Sequence, residues 1–289
     1  MLEDWIAVKT ASEISLKSGF VRHEFMKRLE WNIKSVLKAK GIEAREFNRK
    51  GGRIFFQTSS PKKAVGDLRK VFGIHALAVA ERHSPAELPA IEQEAGKYAV
   101  KVLKKGKSFA VRAKLAAKKH FNSHAVEVRA GDSVLNAVKG VKVNLSRPDV
   151  KIVFEVFEDC FYVYAGQVKG FGGLPVGVSG KVGFITGKKL KDDFKACWLL
   201  LKRGCELVLI GKSEKLAGKL KDWNSMREVE AVENAEKALM QGIVCFANGD
   251  SKLDEKSVKG FENFDAKQKA LMLRPLLIVP QKVFEGVKA

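Results

Sequence analysis

Eleven residues at 170–180, GFGGLPVGVSG, carry five glycines and one proline and separate two hydrophobic rhythms. Before them, short runs alternate apolar with polar residues, as in Val153–Phe157 (VFEVF) and Phe161–Ala165 (FYVYA). Such alternation marks strands with one buried face. After them, short apolar strands take turns with helical stretches, which marks a parallel sheet covered on both faces. A glycine- and proline-rich run between two rhythms is a domain boundary. The expected fold class is α+β followed by α/β.

Within the first 82 residues the order is strand, helix, strand, strand, helix, strand. Strands are expected at 5–11, 42–47, 53–58 and 74–80. A helix over 22–39 places Phe25, Leu29, Ile33, Val36 and Leu37 on one face, and Pro61 opens a second helix. That order predicts a ferredoxin-like domain over 1–82. A second domain is expected over 83–169: a helix at 86–104, a strand at 108–114, a helix capped by Ser123 to about Val138, and a hairpin of 150–157 and 161–168. Residues 170–180 read as a linker. A Rossmann-like domain over 181–289 is expected to hold strands at 181–186, 205–210, 242–247 and 276–279, with helices at 190–203 and 226–240.

The charge narrows the partner. Lys and Arg number 53 against 33 Asp and Glu, a net charge of +20. An excess of that size points to a polyanion, either nucleic acid or an anionic membrane surface. Residues 1–180 hold 32 basic and 18 acidic residues, and 101–120 hold eight basic residues with no acidic one. A lysine-rich solvated face would also read this way, but Arg112 and Lys114 on an expected strand favour phosphate contact. The helix at 86–104 starts acidic and ends basic, which suits the helix dipole better than a membrane face. No run approaches 18 apolar residues, the first residues do not form a secretory signal, and four cysteines suit a reducing cytosol.

Several motifs fall short. Gly183–Lys189 (GFITGKK) has three residues between its glycines where a P-loop has four, and Lys189 stands where Ser or Thr should meet magnesium. His120 and His124 lack the acid of a zincin helix, and Cys197 and Cys205 lie too far apart for a C-x-x-C site. No metal site and no catalytic residue is assigned.

Residues 165–210 nevertheless resemble the tRNA 4-thiouridine synthetase family, where a G-G-L-P-V-G-x-S-G-K linker leads into a PP-loop domain. Gly172–Lys181 keep that linker nearly intact, and Lys202-Arg203-Gly204 matches the following helix end. Glu13, Ile14, Leu16, Lys17, Arg22, Phe25, Asn32 and Ile33 resemble the family's N-terminal stretch. Phe109–Lys114, Phe121, Ser123, Pro148 and VFEVF resemble a THUMP domain. Ala247–Ser251 and Leu273–Leu276 resemble two late landmarks of the PP-loop domain.

The resemblance implies that the first two domains grip tRNA near its acceptor end and that the third adenylates uridine with ATP before a cysteine persulfide delivers sulfur. RNA-binding residues are expected to be Lys17, Arg22, Lys104, Lys105, Lys107, Arg112, Lys114, Lys118 and Lys119. The family's S-G-G-x-D-S turn is altered here to Thr186–Asp193 (TGKKLKDD), two residues longer and with one glycine. A degenerate nucleotide site would comprise Thr186, Gly187, Lys188, Asp193 and Gly249, with ATP and magnesium as possible cofactors. Asp192 and Asp193 would hold magnesium or cap the helix, and the cap is favoured. Residues 211–240 contain no cysteine. The expectation is therefore a cytoplasmic tRNA-binding protein of this family that serves tRNA modification without the family's thiolation chemistry, with a partner enzyme or a homodimer possible. The alternative is an active ATP-dependent tRNA sulfurtransferase with a divergent nucleotide site.

Overall fold

The computed structural model describes residues 4–187, 189–211, 213–250, 271–273, 275–276, 281–284 and 287. Two compact units result. One holds residues 1–9, 42–69 and 76–169; the other holds 10–41, 70–75 and 170–289.

The elements in chain order are β1 (Asp4–Thr10), α1 (Ser12–Ser15), α2 (Gly19–Ala39), β2 (Arg45–Lys50), β3 (Arg53–Thr58), α3 (Pro61–Leu68) and β4 (Ile74–His83). Then come α4 (Leu88–Val102), β5 (Ser108–Leu115), α5 (Ser123–Ala137), β6 (Lys142–Val143), β7 (Val150–Val156), β8 (Phe161–Ala165) and β9 (Val168–Lys169). Their strands form one sheet in the order β2-β3-β1-β4-β8-β7-β5-β6, with β9 also against β4. The first four occur in ferredoxin-like order. β4 pairs antiparallel with β8 from Ala80↔Tyr164 to His83↔Phe161, so the sheet continues into the next set of strands. Phe109 and Val111 of β5, Ile152, Phe154 and Val156 of β7, and Ile91, Ala95, Val126, Ala130 and Val134 of α4 and α5 share one core. The cap of α5 is Asn122, whose side chain accepts from Ala125 N at 2.9 Å; Ser123, expected as the cap, is already the first helical residue.

The opposite face of this sheet curls on itself. β3 and β7 are four strands apart, about 19 Å in a flat sheet. Yet Arg53 Nε donates to Glu155 Oε1 at 2.9 Å, and the Phe55 and Phe157 rings lie 5.6 Å apart. Phe55 also stacks on Tyr162 of β8 at 3.9 Å. Two side chains cannot span four strand spacings, so the sheet must coil. Trp5, Ala7, Phe55, Ala78, Ala80, Phe157, Tyr162 and Tyr164 fill the concave side as a second core.

The other unit contains β10 (Lys181–Ile185), α6 (Leu190–Lys202), β11 (Glu206–Ile210), α7 (Glu214–Lys221), β12 (Glu230–Val232), α8 (Ala235–Met240), β13 (Cys245–Ala247) and β14 (Leu271–Leu273). Its five strands are all parallel, in the order β12-β11-β10-β13-β14. α6 buries Phe194, Cys197, Trp198 and Leu201 at helical spacing. Trp198 meets Phe72, Phe171 and Trp223 edge to face at 5.3, 6.0 and 5.6 Å. Large buried rings of this kind each contribute about 2–3 kcal/mol by area removed from water.

One expectation for this unit needs correction, and another falls almost wholly outside the described residues. Residues 226–240 are not one helix: Met226 has φ of 62°, β12 pairs with β11, and α8 begins only after Asn234, which accepts from Lys237 N at 3.0 Å. α7, unexpected from the sequence, precedes them. The strand expected over 276–279 lies outside the described residues except Leu276, which sits in a turn.

The glycine-rich run is stitched down. Gly170 N donates to His75 O, Gly172 N to Ile74 O and Leu174 N to Lys202 O, each at 2.9 Å. A Cβ on Gly170 would overlap Ile74 O, and one on Gly173 would overlap Lys202 O. These glycines serve close backbone approach, and the run is no loose spacer.

Candidate nucleic-acid interface and nucleotide crevice

The fold divides the basic segment 101–120 in two. Lys104, Lys105 and Lys107 precede β5, Lys114 lies near its end, and Lys118 and Lys119 follow it. Seven residues of strand place Lys107 and Lys114 about 23 Å apart. Lys104, Lys105, Lys114 and Lys118 are exposed and have no carboxylate partner among the described residues. At the first end, β6 brings Lys142 opposite Ser108 and β7 brings Lys151 opposite Ala110. The sequence reading missed Lys142, Lys151 and exposed Arg147. Their signal was the run KGVKVNLSRPDVK, but a two-residue strand such as β6 leaves no periodicity to read.

Three expected RNA-binding residues are engaged within the protein. Arg112 donates to Val111 O at 2.9 Å and to Leu145 O at 2.6 Å. With Asn144, which accepts from Ser146 N and Arg147 N, it fixes the loop that exposes Val143, Leu145 and Arg147. Lys119 donates to Glu158 O at 2.8 Å. Lys107 lies 3.4 Å from Asp149. Lys17 and Arg22 are exposed, before and at the start of α2, beside Leu16 and Phe20, which are 86% and 79% exposed. An open cleft of about 580 Å³ is lined by Val102, Pro148, Asp149, Lys151, Val153 and Gln167, within the range of small-ligand sites.

Asp149 anchors the start of β5. It accepts from Ser108 N and Oγ, both at 2.8 Å. These bonds, followed by Lys107, hold its carboxyl at about 2. A depressed carboxyl contributes stability above its unfolded range and loses it as pH falls toward the folded value. Acidification from 3.8 toward 2 is therefore expected to free the Ser108 amide, read as faster hydrogen exchange. Asp149→Asn should remove most of that pH dependence.

In the parallel sheet, strand order reverses between β10 and β13. In such sheets ligands bind in the crevice beyond the carboxyl ends of the strands at this point. Thr186 is turned toward β11: its N–H and Oγ1 both donate to Ile210 O, at 3.2 and 2.9 Å. Gly187 N donates to Asp193 Oδ2 at 2.8 Å. Asp193 is 4% exposed, and a Cβ on Gly249 would overlap its Oδ1. Burial pushes the Asp193 carboxyl up, the Gly187 bond opposes this, and Asp192 and Asp250 push it further up. α6 begins at Leu190 after Lys189, so Asp192 and Asp193 occupy its first turn and neither is the cap. Lys188 lies outside the described residues, as do Ser251 and Arg274.

A nucleotide at the positions expected from the sequence would place its phosphates at the Gly187 N–H and beside Gly249. Asp193 holds both, so the described residues do not fit that group. All four thiols, of Cys160, Cys197, Cys205 and Cys245, are pushed up by burial, which disfavours the thiolate that sulfur transfer needs. Among the described residues no group of three or more His, Cys, Asp or Glu side chains is placed to hold a metal ion, and no helix is long and apolar enough to cross a membrane.

The fold and its basic clusters define a THUMP-domain protein with a ferredoxin-like domain before the THUMP domain and a parallel α/β domain after it. Residues 5–78 match the ThiI ferredoxin-like domain and residues 85–165 the THUMP domain. A probable tRNA sulfurtransferase of Methanosarcina mazei is 35% identical over 207 residues, 70% of this chain and 50% of that protein. One of Saccharolobus islandicus is 32% identical over 207 residues, 71% of this chain and 53% of that protein. The chain thus spans about half the length of these relatives. The crystal structure of PH1313 from Pyrococcus horikoshii has a TM-score of 0.84 at 28% identity, covering 99% of this chain and 98% of that one. A 4-thiouridine synthetase solved as an RNA complex with bound ATP has a TM-score of 0.64 at 21% identity, covering 94% and 73%, a likeness of fold. The chain belongs to the ThiI-like tRNA sulfurtransferase family.

Proposed function

We propose that this protein binds tRNA at its acceptor region and serves tRNA modification in the cytoplasm without completing thiolation itself. The observation that carries the reading is the pair of lysine clusters at the two ends of β5, in which the ammonium groups of Lys104, Lys105, Lys114 and Lys118 have no carboxylate partner among the described residues. A solvated face usually pays for its lysines with interspersed acids; these lysines stand open to phosphates. Lys17, Arg22 and exposed Phe20 add a second basic surface with an aromatic ring, a combination suited to backbone contact and base stacking. The cleft beside Lys151 suits an unpaired nucleotide, the part of an RNA whose base is free to leave the stack.

The filled crevice and the buried thiols of Cys160, Cys197 and Cys205 support the second half of the proposal. On this reading the chemical step belongs to a partner modification enzyme. The alternative, an active ATP-dependent sulfurtransferase, draws on the retained parallel sheet, Gly187 and the Asn248–Asp250 turn.

Filter binding across a salt series tests the first half. Tighter, salt-sensitive binding of tRNA than of unstructured RNA of equal length is expected; equal binding of the two refutes it. Incubation with tRNA, ATP, magnesium and a persulfide donor tests the second half. Nucleoside mass spectrometry should find no thiouridine, and its appearance would establish the alternative.

A further inference from the structure

We propose that Asp193 is an internal stand-in for phosphate: its carboxylate occupies the anion position between the ends of β10 and β13. The parallel domain thereby keeps the frame of a phosphate site and closes it with its own side chain. The inference concerns the crevice alone and stands apart from the tRNA reading.

Three observations converge on it. The crevice lies where the strand order reverses, the place at which backbone N–H groups in this architecture meet anionic ligands. There the Gly187 N–H, free to serve an external anion in an open turn, is taken by Asp193 Oδ2 at 2.8 Å. Across the crevice, Gly249 leaves the space into which Asp193 Oδ1 fits, because any Cβ at 249 would overlap that oxygen.

The charge balance points the same way. Asp193 is almost wholly buried and has no cationic partner among the described residues. Asp192 and Asp250 add negative charge nearby. An incoming phosphate would meet a like charge in a poorly solvated place, with its N–H donor already in use. A buried carboxyl with a raised value also costs stability when ionised, and that cost is present above its folded value. Selection for stability alone would not place an acid there, whereas an acid that fills an inherited anion nest satisfies the amide.

Calorimetry on the full chain tests the proposal, with inorganic phosphate and with ATP plus magnesium as separate probes. The wild type should show no binding of either at millimolar concentrations. Asp193→Ala frees both the amide and the space, and should bind phosphate at least about tenfold more tightly than the wild-type limit. Asp193→Asn fills the same volume without charge and should show no gain, while being more stable than the wild type at neutral pH. That advantage should vanish as acid protonates the wild-type carboxyl.

Wild-type binding of either probe as tight as that of Asp193→Ala overturns the proposal. So does a folded Asp193→Ala that is as silent as the wild type. Should Asp193→Ala not fold, NMR of the wild type decides: the Gly187 amide should move with the titration of the Asp193 carboxyl carbon, and an amide that stays fixed refutes the contact. tRNA binding, followed in parallel, reports on the lysine clusters alone.

Discussion

Replacing Lys104, Lys105, Lys114 and Lys118 together with alanine is expected to weaken tRNA binding roughly a hundred- to thousandfold near 0.1 M salt. Each phosphate contact contributes about one unit to the slope of log K against log salt. The fourfold variant should therefore lose up to about four units of slope. The four side chains are exposed and have no carboxylate partners among the described residues, so unfolding should shift by no more than about 0.5 kcal/mol. Each end of β5 can be tested separately. Lys104→Ala with Lys105→Ala, or Lys114→Ala with Lys118→Ala, should each remove about half of the slope change. If one pair carries all of it, the RNA is gripped at one end only. Arg112→Ala should behave differently, because Arg112 holds Leu145 O and so positions the 143–147 loop. It should reduce affinity with less change in salt dependence.

Arg53→Met is expected to destabilise the coiled sheet by about 3 kcal/mol or more, the usual result of stranding one half of a buried ion pair. The side chains of Arg53 and Glu155 are 13% and 4% exposed. Without the guanidinium, Glu155 keeps the Tyr164 hydroxyl, which donates at 2.8 Å, but loses its counter-charge. For a chain of this size the midpoint of thermal unfolding should fall by roughly 6–12 °C. Pairing Arg53→Met with Glu155→Gln should recover most of the loss, because no stranded charge remains. A single variant costing under about 1 kcal/mol would mean that the coil is held by its aromatic core and not by this pair.

What the sequence made legible followed from local periodicity. α2 shows its apolar stripe, β7 and β8 show alternation across a short turn, and β10 and β11 are apolar runs after a glycine-rich break. The ferredoxin-like order and the parallel sheet follow from these. What stayed illegible depends on partners far along the chain. Arg53 meets Glu155 about a hundred residues away, and Arg112, a plausible phosphate ligand by type, is engaged by a carbonyl 33 residues on. Residues 226–240 carry helix-forming types, yet pairing of β12 with β11 overrides local preference. Asn234 was the visible clue to the later helix start. Asp193 shows the same limit at the crevice: its type suggested a cap, and only the fold reveals that the N–H it takes is that of Gly187.

The pairing of β4 with β8 sets an order on synthesis. β1 and β3 can join β4 as soon as the first 83 residues have emerged, but the other edge of β4 has to wait for residues 161–164. At ribosomal rates of about 5–20 residues per second, that edge stays open for roughly 4–16 s. An uncovered strand edge invites pairing with another nascent chain. The alternation of β4 ends in Glu81, Arg82 and His83, the residues that later meet β8. Those polar side chains lie on the stretch that β8 later covers, where they disfavour premature association of the unfinished sheet.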